Sequence, residues 1–256
     1  MSSHSFGFYW SAFFGLIVAR YFLIAGSIYG VLYLVMAHRV AAYSLRRSPP
    51  QQSLIRQNIT LSLVSASIFA LGAAIVMIAY DQGLTQIYVD SHPYGAWYSI
   101  VSLLLVLILQ DTYFYFLHRA FHHPRLFKWV HRGHHASGDP TPWASFAFDP
   151  PEAILQALFF VLIVFILPLH FITLLVVLLT MTIWAVWNHL GYEFLPPTFA
   201  QHWLGKWLIG PTHHALHHRK YQVHYGLYFT TWDRLLGTHD PDYEQRFDRA
   251  LRSESY

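Results

Sequence analysis

The sequence predicts an all-α integral membrane protein with four to five membrane helices, including a helical hairpin, and a cytoplasmic histidine-rich cap that binds metal. The first observation is composition, because 55% of the 256 residues are hydrophobic and 11% are charged, whereas soluble proteins carry roughly 25% charged residues. The second is a set of apolar segments long enough to span a bilayer. The third is the presence of 18 histidines without any cysteine, which excludes zinc ribbons, iron–sulfur clusters and disulfides.

The membrane helices are predicted from apolar length. Three segments reach the length of about 20 residues that a spanning helix needs; they are 8–37, 59–80 and 95–117. Arg20 lies inside the first of them, so either its charge faces a cavity within the protein or the span begins later and Arg20 lies at an interface. The fourth segment, 152–187, is too long for one helix, and Pro168 interrupts helical hydrogen bonding near its middle. We therefore expect a tight helical hairpin there.

The charges of the connecting loops predict the orientation of the chain. The first loop contains four arginines, whereas the second contains two aspartates and neither lysine nor arginine. The positive-inside rule then places the first loop, and with a hairpin at 152–187 also every histidine group, in the cytoplasm. No signal peptide is apparent. The short chain lacks a lysine retention tail, so we expect a bacterial inner membrane, with the endoplasmic reticulum as the alternative.

Three histidine groups have spacings of three and four residues, which place side chains on one face of a helix. The groups are His118 and His122; His131, His134 and His135; and His214, His217 and His218. Eight imidazoles are too many for a tetrahedral zinc ion with four ligands, and two metal ions fit their number better. Because imidazole binds zinc, copper, iron and nickel alike, the ligand type does not identify the metal.

Carboxylates near these groups are candidates to hydrogen-bond the ligand histidines, since a metal-bound imidazole usually donates its second N–H to a carboxylate or carbonyl. The candidates are Asp111, Asp139, Asp149, Glu152, Glu193 and Asp233. Asp111 is favoured because it precedes His118 by two helical turns on the same face, although it could instead cap a helix or line a polar cavity. Asp233 could equally pair with Arg234.

The order of the histidine motifs resembles that of the fatty acid hydroxylase / sterol desaturase superfamily. The flanking segments "DTYFYFLHRAFHH", "HRGHHASGDPTPWASFAFDPPEA", "NHLGYE" and "HHALHHRKYQVHYGLYFTTWDRLLGT" are similar as well, so the resemblance covers roughly 95–240. It implies a membrane di-iron enzyme that applies O2 and external electrons to a lipid C–H bond, with zinc as a possible substitute in purified protein. It also implies that the eight histidines bind the two iron ions and that His189 is a ninth ligand.

The resemblance divides the chain into N-terminal membrane helices (1–94), a catalytic domain (95–245) and a C-terminal tail (246–256). It allows His123 to bind the metal in place of His122, and it implies that His213 lies beside the ligands. The sequence departs from the family pattern at Asp149, where members often have histidine, and at His224, where many have asparagine. The second departure could alter how a metal-bound water is held, and both leave the choice of substrate open.

Hydroxylation of a fatty acyl, sterol-like or other hydrophobic substrate is the expected activity, and desaturation at the same site is the alternative. A membrane metal-binding or transport protein and a b-type haem protein are rivals from other classes. The first would need a path of histidines or carboxylates within the spans, and the second would need isolated facing histidines.

Electrons are expected from a separate cytochrome b5-like or ferredoxin-like protein. The basic residues Arg132, Lys206, Arg219 and Lys220 could receive it or could contact lipid phosphates. The net charge of +3 gives no indication of nucleic-acid binding. Residues 196–208 mix tryptophan, leucine and lysine and are expected to form an amphipathic helix at the membrane surface.

Overall fold

The computed structural model describes residues 4–90 and 94–251 of the chain. Within them, four helices are long and apolar enough to cross a membrane: α1 (Phe6–Val35), α2 (Gln52–Asp81), α3 (Ala96–Phe121) and α6 (Phe171–Asn188). The shorter apolar helix α5 (Pro150–Ile166) precedes α6. The short helices are α4 (Pro124–Val130), α7 (Pro211–Lys220), α8 (Thr231–Leu235) and α9 (Tyr243–Leu251). The predicted all-α membrane fold is confirmed.

Helices α1 and α2 pack antiparallel through small side chains. The Tyr9 hydroxyl near the start of α1 donates to Asp81 at the end of α2 over 2.7 Å, whereas Ile17 packs with Ala66 and Ala70 further along both helices. Alanines allow close approach of two helix backbones in a membrane, where dispersion rather than the hydrophobic effect holds helices together. The contact therefore positions the N-terminal part of the chain against the remaining bundle.

The predicted hairpin is present, but its two arms are not tightly packed on one another. Helix α5 ends at Ile166, as the proline at position 168 requires, and strand β2 (Leu169–His170) pairs in parallel with strand β1 (Ile87–Tyr88). Helix α5 packs mainly against α2, and α6 packs mainly against α3. A cavity of about 300 Å³ with mostly apolar walls lies among α1, α2, α3, α5 and α6.

The histidine groups lie together at one end of the bundle, which we call the histidine end. There α3 ends, α5 begins and α6 ends. Helix α9 also packs there and crosses the boundary expected after residue 245, since Phe247 is fully buried against Ala200 and Leu216. The expected C-terminal tail thus begins within helix α9.

The expected amphipathic helix over 196–208 is wrong. The segment forms two short 3₁₀ turns, Pro197–Gln201 and Gly205–Trp207. Between them, the Nδ1 atom of His202 accepts the backbone N–H groups of Leu204 and Gly205 over 3.3 and 3.4 Å, and this local bonding replaces the helical pattern. Trp203 is nevertheless 69% exposed, so the segment keeps an apolar surface without a helix.

Candidate metal centre

The structure gathers the nine histidines predicted as ligands into two clusters. Cluster A contains five of them: His118, His122, His131, His135 and His217. Cluster B contains the other four: His134, His189, His214 and His218. Within each cluster, one ring nitrogen of every residue lies within 4.8 Å of the others. All nine side chains are buried except that of His122, which is half-buried.

Helical periodicity explains two of the three histidine groups. His118 lies in the last turn of α3, and His122 is the residue that ends this helix. Helix α7 directs His214 and His218, one turn apart, into cluster B and directs His217 into cluster A. A single helix therefore contributes ligands to both clusters.

The middle group is not helical, contrary to expectation. Helix α4 ends at Val130, and His134–Ala136 forms a 3₁₀ turn. The N–H of Gly133 donates to the Asp149 carboxylate over 2.7 Å, which holds the chain in this irregular path. As a result His134 enters cluster B, while His131 and His135, on either side of it, enter cluster A.

Hydrogen bonds at Nδ1 fix the tautomer of most ligand rings. Five rings face backbone carbonyls: His118 with Tyr225 (2.9 Å), His134 with Ala147 (3.2 Å), His189 with Ala185 (2.7 Å), His217 with Val223 (2.7 Å) and His218 with Ser137 (3.0 Å). A carbonyl can only accept, so in each of these rings Nδ1 carries the proton and Nε2 retains a free lone pair. This is the arrangement that a metal-binding imidazole needs.

The free Nε2 atoms face one another at distances that fit shared coordination of a metal ion. The Nε2 atoms of His189 and His134 are 3.4 Å apart. Neither atom carries a proton, so no hydrogen bond joins them. The Nε2 atoms of His118 and His131 are 3.0 Å apart. With metal–nitrogen bonds of about 2.0–2.1 Å, two ligands lie about 3.0 Å apart at a right angle and about 3.4 Å apart in a tetrahedron. The spacing of the Nε2 atoms in each cluster therefore fits coordination of a metal ion.

Burial keeps these imidazoles neutral. Desolvation lowers the pKa of His134 to about 4, and the hydrogen bond to the Ala147 carbonyl opposes this only in part. Desolvation also lowers the pKa of His189 to about 3. Because only the neutral ring has a lone pair for a metal, both residues are ready to bind one at neutral pH.

Glu152, in the first turn of α5, contacts a ligand through its carboxylate. Its Oε2 accepts the Nδ1–H of His131 over 2.7 Å, and both side chains are 1% exposed. A carboxylate in this position orients the ring and increases the basicity of its metal-binding nitrogen. The sequence placed Glu152 among six candidates without favouring it.

The preference for Asp111 is corrected by the structure. Its Oδ1 accepts the backbone N–H groups of Leu227, Tyr228 and Phe229 over 3.1, 2.7 and 3.2 Å. Among the described residues it bonds to no histidine. The two-turn spacing placed Asp111 on the correct helix face, but on that face it meets a backbone turn instead of an imidazole.

Asp233 acts on a ligand through the backbone and is not paired with Arg234. Its Oδ1 accepts the N–H of Tyr225 over 2.8 Å and its Oδ2 accepts the N–H of Gly226 over 3.0 Å. The carbonyl of the same Tyr225 accepts from His118, so Asp233 positions the acceptor of a cluster A ligand. Burial raises the pKa of Asp233 to about 6, against the opposing effect of these hydrogen bonds.

The remaining candidates lie outside both clusters. His123 is exposed, and its Nδ1 accepts the N–H of Arg125 at the start of α4. His213 and His224 form a third histidine group with His239, which the histidine spacings in the sequence did not indicate. The N–H of Gly210 donates to Nδ1 of His213 over 3.2 Å, so the proton of this ring is on Nε2 and blocks metal binding there.

The departure at His224 has a backbone explanation. This residue has φ = 58°, in the left-handed region where asparagine and histidine are enriched over most residues. The backbone conformation at this position therefore suits histidine as well as asparagine. The other departure, Asp149, anchors the turn at Gly133 as described.

Two buried histidine clusters at one end of a bundle of membrane-crossing helices define a membrane protein that can hold metal ions with histidine ligands. The fatty acid hydroxylase family model matches residues 103–238. The chain belongs to this family.

Curated relatives are similar over much of the chain. A Delta(7)-sterol 5(6)-desaturase of Gibberella zeae is 30% identical over 72% of this chain and 56% of its own length. A lathosterol oxidase of Homo sapiens is 37% identical over 57% of this chain and 47% of its own length. The chain thus spans about half the length of these relatives. No solved structure matches it.

Proposed function

We propose that the protein is a di-iron membrane enzyme that uses O2 to oxidise a C–H bond of a hydrophobic, lipid-like substrate. The observation that carries this proposal is the contact between cluster B and the apolar cavity. Phe148 lines the cavity and stacks on the ring of His134, with centroids 5.6 Å apart. Ala185 also lines the cavity and accepts the hydrogen bond of His189. A hydrocarbon in the cavity would therefore end beside the metal ligands.

Two bound iron ions would supply the activation of O2 and the oxidation of the substrate. The chain's own residues would prepare the site for them. Carbonyl groups hold the Nδ1 protons of five ligand rings, and Glu152 holds that of His131. The apolar walls would bind the hydrocarbon and exclude water, which favours oxidation of the substrate over side reactions.

Hydroxylation is the first form of this proposal, and desaturation is the second. The relatives named as sterol desaturases and lathosterol oxidases favour the second. Both outcomes begin with removal of hydrogen from carbon, and the ligand clusters do not distinguish them. A transport function has less support, because the clusters lie at the end of the bundle and not along a path through it.

A separate electron-transfer protein, cytochrome b5-like or ferredoxin-like, would dock on the histidine end, which we place in the cytoplasm. Two of the four basic residues considered for this role are engaged elsewhere. Arg219 pairs with Asp139 over 2.8 Å, and Lys220 pairs with Asp240 over 2.6 Å. Arg132 is exposed and stays available, so we propose it as the centre of the docking surface.

The test combines metal analysis with product analysis on protein purified in detergent. We expect about two iron ions per chain, with loss of iron when His131 of cluster A or His214 of cluster B is replaced by alanine. His123→Ala is the matched control and should retain the iron. Incubation with lipids, a reductase system and heavy-isotope O2 should then give a product that gains labelled oxygen or loses two hydrogens. Iron-free protein, or iron unaffected by both substitutions, would contradict the proposal.

A further inference from the structure

A buried tyrosine beside cluster A has a hydrogen-bonded route to a carboxylate. The hydroxyl of Tyr115, a fully buried residue of α3, lies 2.8 Å from the Oγ1 atom of Thr238. That Oγ1 donates to the carboxylate of Asp233 over 2.7 Å. Because a carboxylate only accepts and a threonine hydroxyl has one proton, Tyr115 is the donor to Thr238. The phenol proton therefore lies at the start of a hydrogen-bonded path that ends at a base.

The ring of Tyr115 is joined to cluster A through a second aromatic ring. Its centroid is 6.1 Å from that of Tyr225. The Tyr225 ring in turn contacts three ligand rings of cluster A, at centroid distances of 5.6 Å to His118, 5.3 Å to His122 and 5.6 Å to His217. On its other side, Tyr115 stacks at 6.2 Å on Trp232, which is half-buried. A continuous row of rings thus connects the ligands with the protein surface, and Tyr115 lies within it.

Two neighbouring tyrosines lack such a route for their protons. Tyr225 is closer to the ligands, but its hydroxyl donates to the backbone carbonyl of Tyr221 over 3.1 Å. Tyr113, on the same helix as Tyr115, donates to the carbonyl of Leu155 over 2.7 Å. A tyrosine that loses an electron becomes a strong acid, and a backbone carbonyl accepts a hydrogen bond without serving as a base. The carboxylate at the end of its hydrogen bonds therefore makes Tyr115 easier to oxidise than either neighbour.

We propose that Tyr115 is a redox-active residue that gives one electron to an oxidised metal ion in cluster A and its phenol proton to Asp233. The electron passes through the Tyr225 ring. The proton of Tyr115 moves to Thr238 while the hydroxyl proton of Thr238 moves to Asp233. The metal ion is thereby reduced by one electron, Asp233 becomes a neutral carboxylic acid and Tyr115 becomes a neutral radical. This inference rests on the proposed function, which supplies the oxidant through O2 and the electron-transfer protein that later restores Tyr115.

Two features of the site suit this exchange. Burial raises the pKa of Asp233 to about 6, so at neutral pH its carboxylate is ionised and can both take up and return a proton. Arg119 donates to the Tyr115 hydroxyl over 3.3 Å, so the phenol oxygen keeps a hydrogen-bond donor after it loses its proton. In the absence of substrate, electron transfer from Tyr115 would remove an oxidant that could otherwise attack the histidine ligands.

The experiment exposes reduced, iron-loaded protein in detergent to O2 without substrate, freezes it rapidly and records its electron paramagnetic resonance spectrum. We expect a tyrosyl radical signal whose hyperfine structure collapses in protein that contains ring-deuterated tyrosine. Tyr115→Phe should abolish the signal at unchanged iron content. Tyr113→Phe, on the same helix, is the matched control and should retain it. Thr238→Val keeps the phenol but interrupts the proton route, and it should slow the appearance of the signal by about 100-fold or more, the least that a positioned proton acceptor usually contributes.

A second arm treats the purified protein with the one-electron oxidant hexachloroiridate in place of O2, so that it needs neither iron nor oxygen chemistry. A signal that depends on Tyr115 in this arm, from protein that does not consume O2, would refute only the enzyme. Consumption of O2 by iron-loaded wild-type protein without a signal that depends on Tyr115 would refute only the redox role of Tyr115. The proposal is also overturned if the signal is absent from both arms, or if Thr238→Val forms it as fast as wild type.

Discussion

Replacing Glu152 should weaken metal binding in cluster A. Glu152→Ala removes the acceptor of the His131 Nδ1–H in a site where both side chains are 1% exposed, so water cannot readily replace it. Loss of such a partner typically lowers metal affinity by 10–100-fold, or about 1.4–2.7 kcal/mol. This agrees with the cost of about 1–3 kcal/mol for leaving a buried donor unpaired. Glu152→Gln keeps an oxygen acceptor and should lose less.

The assay is a titration of metal-free protein with Co²⁺ in the presence of a competing chelator, which gives the affinity of each site from the visible absorption. Glu193→Gln is the control, because Glu193 is equally buried but bonds to Thr212 and the backbone instead of a histidine. It should alter stability and, because Thr212 lies at the start of α7 and is not a ligand ring, should lower metal affinity less than Glu152→Ala does. If Glu152→Ala binds the first two cobalt ions as tightly as wild type, our view that Glu152 supports a ligand is refuted.

Three further predictions concern stability and the histidine end. Asp111→Ala leaves three N–H groups, two of them buried, without their acceptor and should cost about 3 kcal/mol or more, measured as a fall in thermal midpoint larger than that of Asp111→Asn. Gly133→Ala places a Cβ against the Asp149 carboxylate and should release metal from both clusters; metal content equal to wild type would contradict this. Since burial lowers the pKa of His134 to about 4 and of His189 to about 3, the unfolded chain binds protons below about pH 6.5 that the folded chain does not. The stability of the metal-free protein should therefore fall as pH is lowered from about 6.5 towards 4, by up to about 1.4 kcal/mol per pH unit for each histidine, and thermal unfolding scans of metal-free protein that coincide across this range would contradict it.

The sequence identified the nine histidines but could not divide them between clusters. Helix α7 carries His214, His217 and His218 on one face, and only the residues packed on either side of that face divide them between the clusters. For the group at 131–135 the division depends on a turn held by Asp149, sixteen residues from Gly133 in sequence, and no local pattern contains that contact. The spans were predictable because apolar length is a local property of the chain.

The hydrogen-bond partners of the buried carboxylates were the feature that the sequence predicted least well. Asp111 and Glu152 are both buried acids near histidine motifs, and spacing favoured the former. The structure pairs Glu152 with His131 because α5 begins beside the end of α4, whereas Asp111 faces the backbone of residues 227–229. The pairing follows from how helices from distant parts of the chain meet. Arg20 illustrates the same limit, since the cavity that it lines exists only once five helices have assembled.

Helix α7 gives both clusters a common mechanical support. The first ion to bind in cluster B would fix His214 and His218, and would at the same time hold His217 of the same short helix in place for cluster A. Any entropy lost in ordering this helix would then be lost once for two ions, and the second ion would bind more tightly than the first. We expect the two metals to load and leave as a pair, so that partly loaded protein is a mixture of full and empty chains.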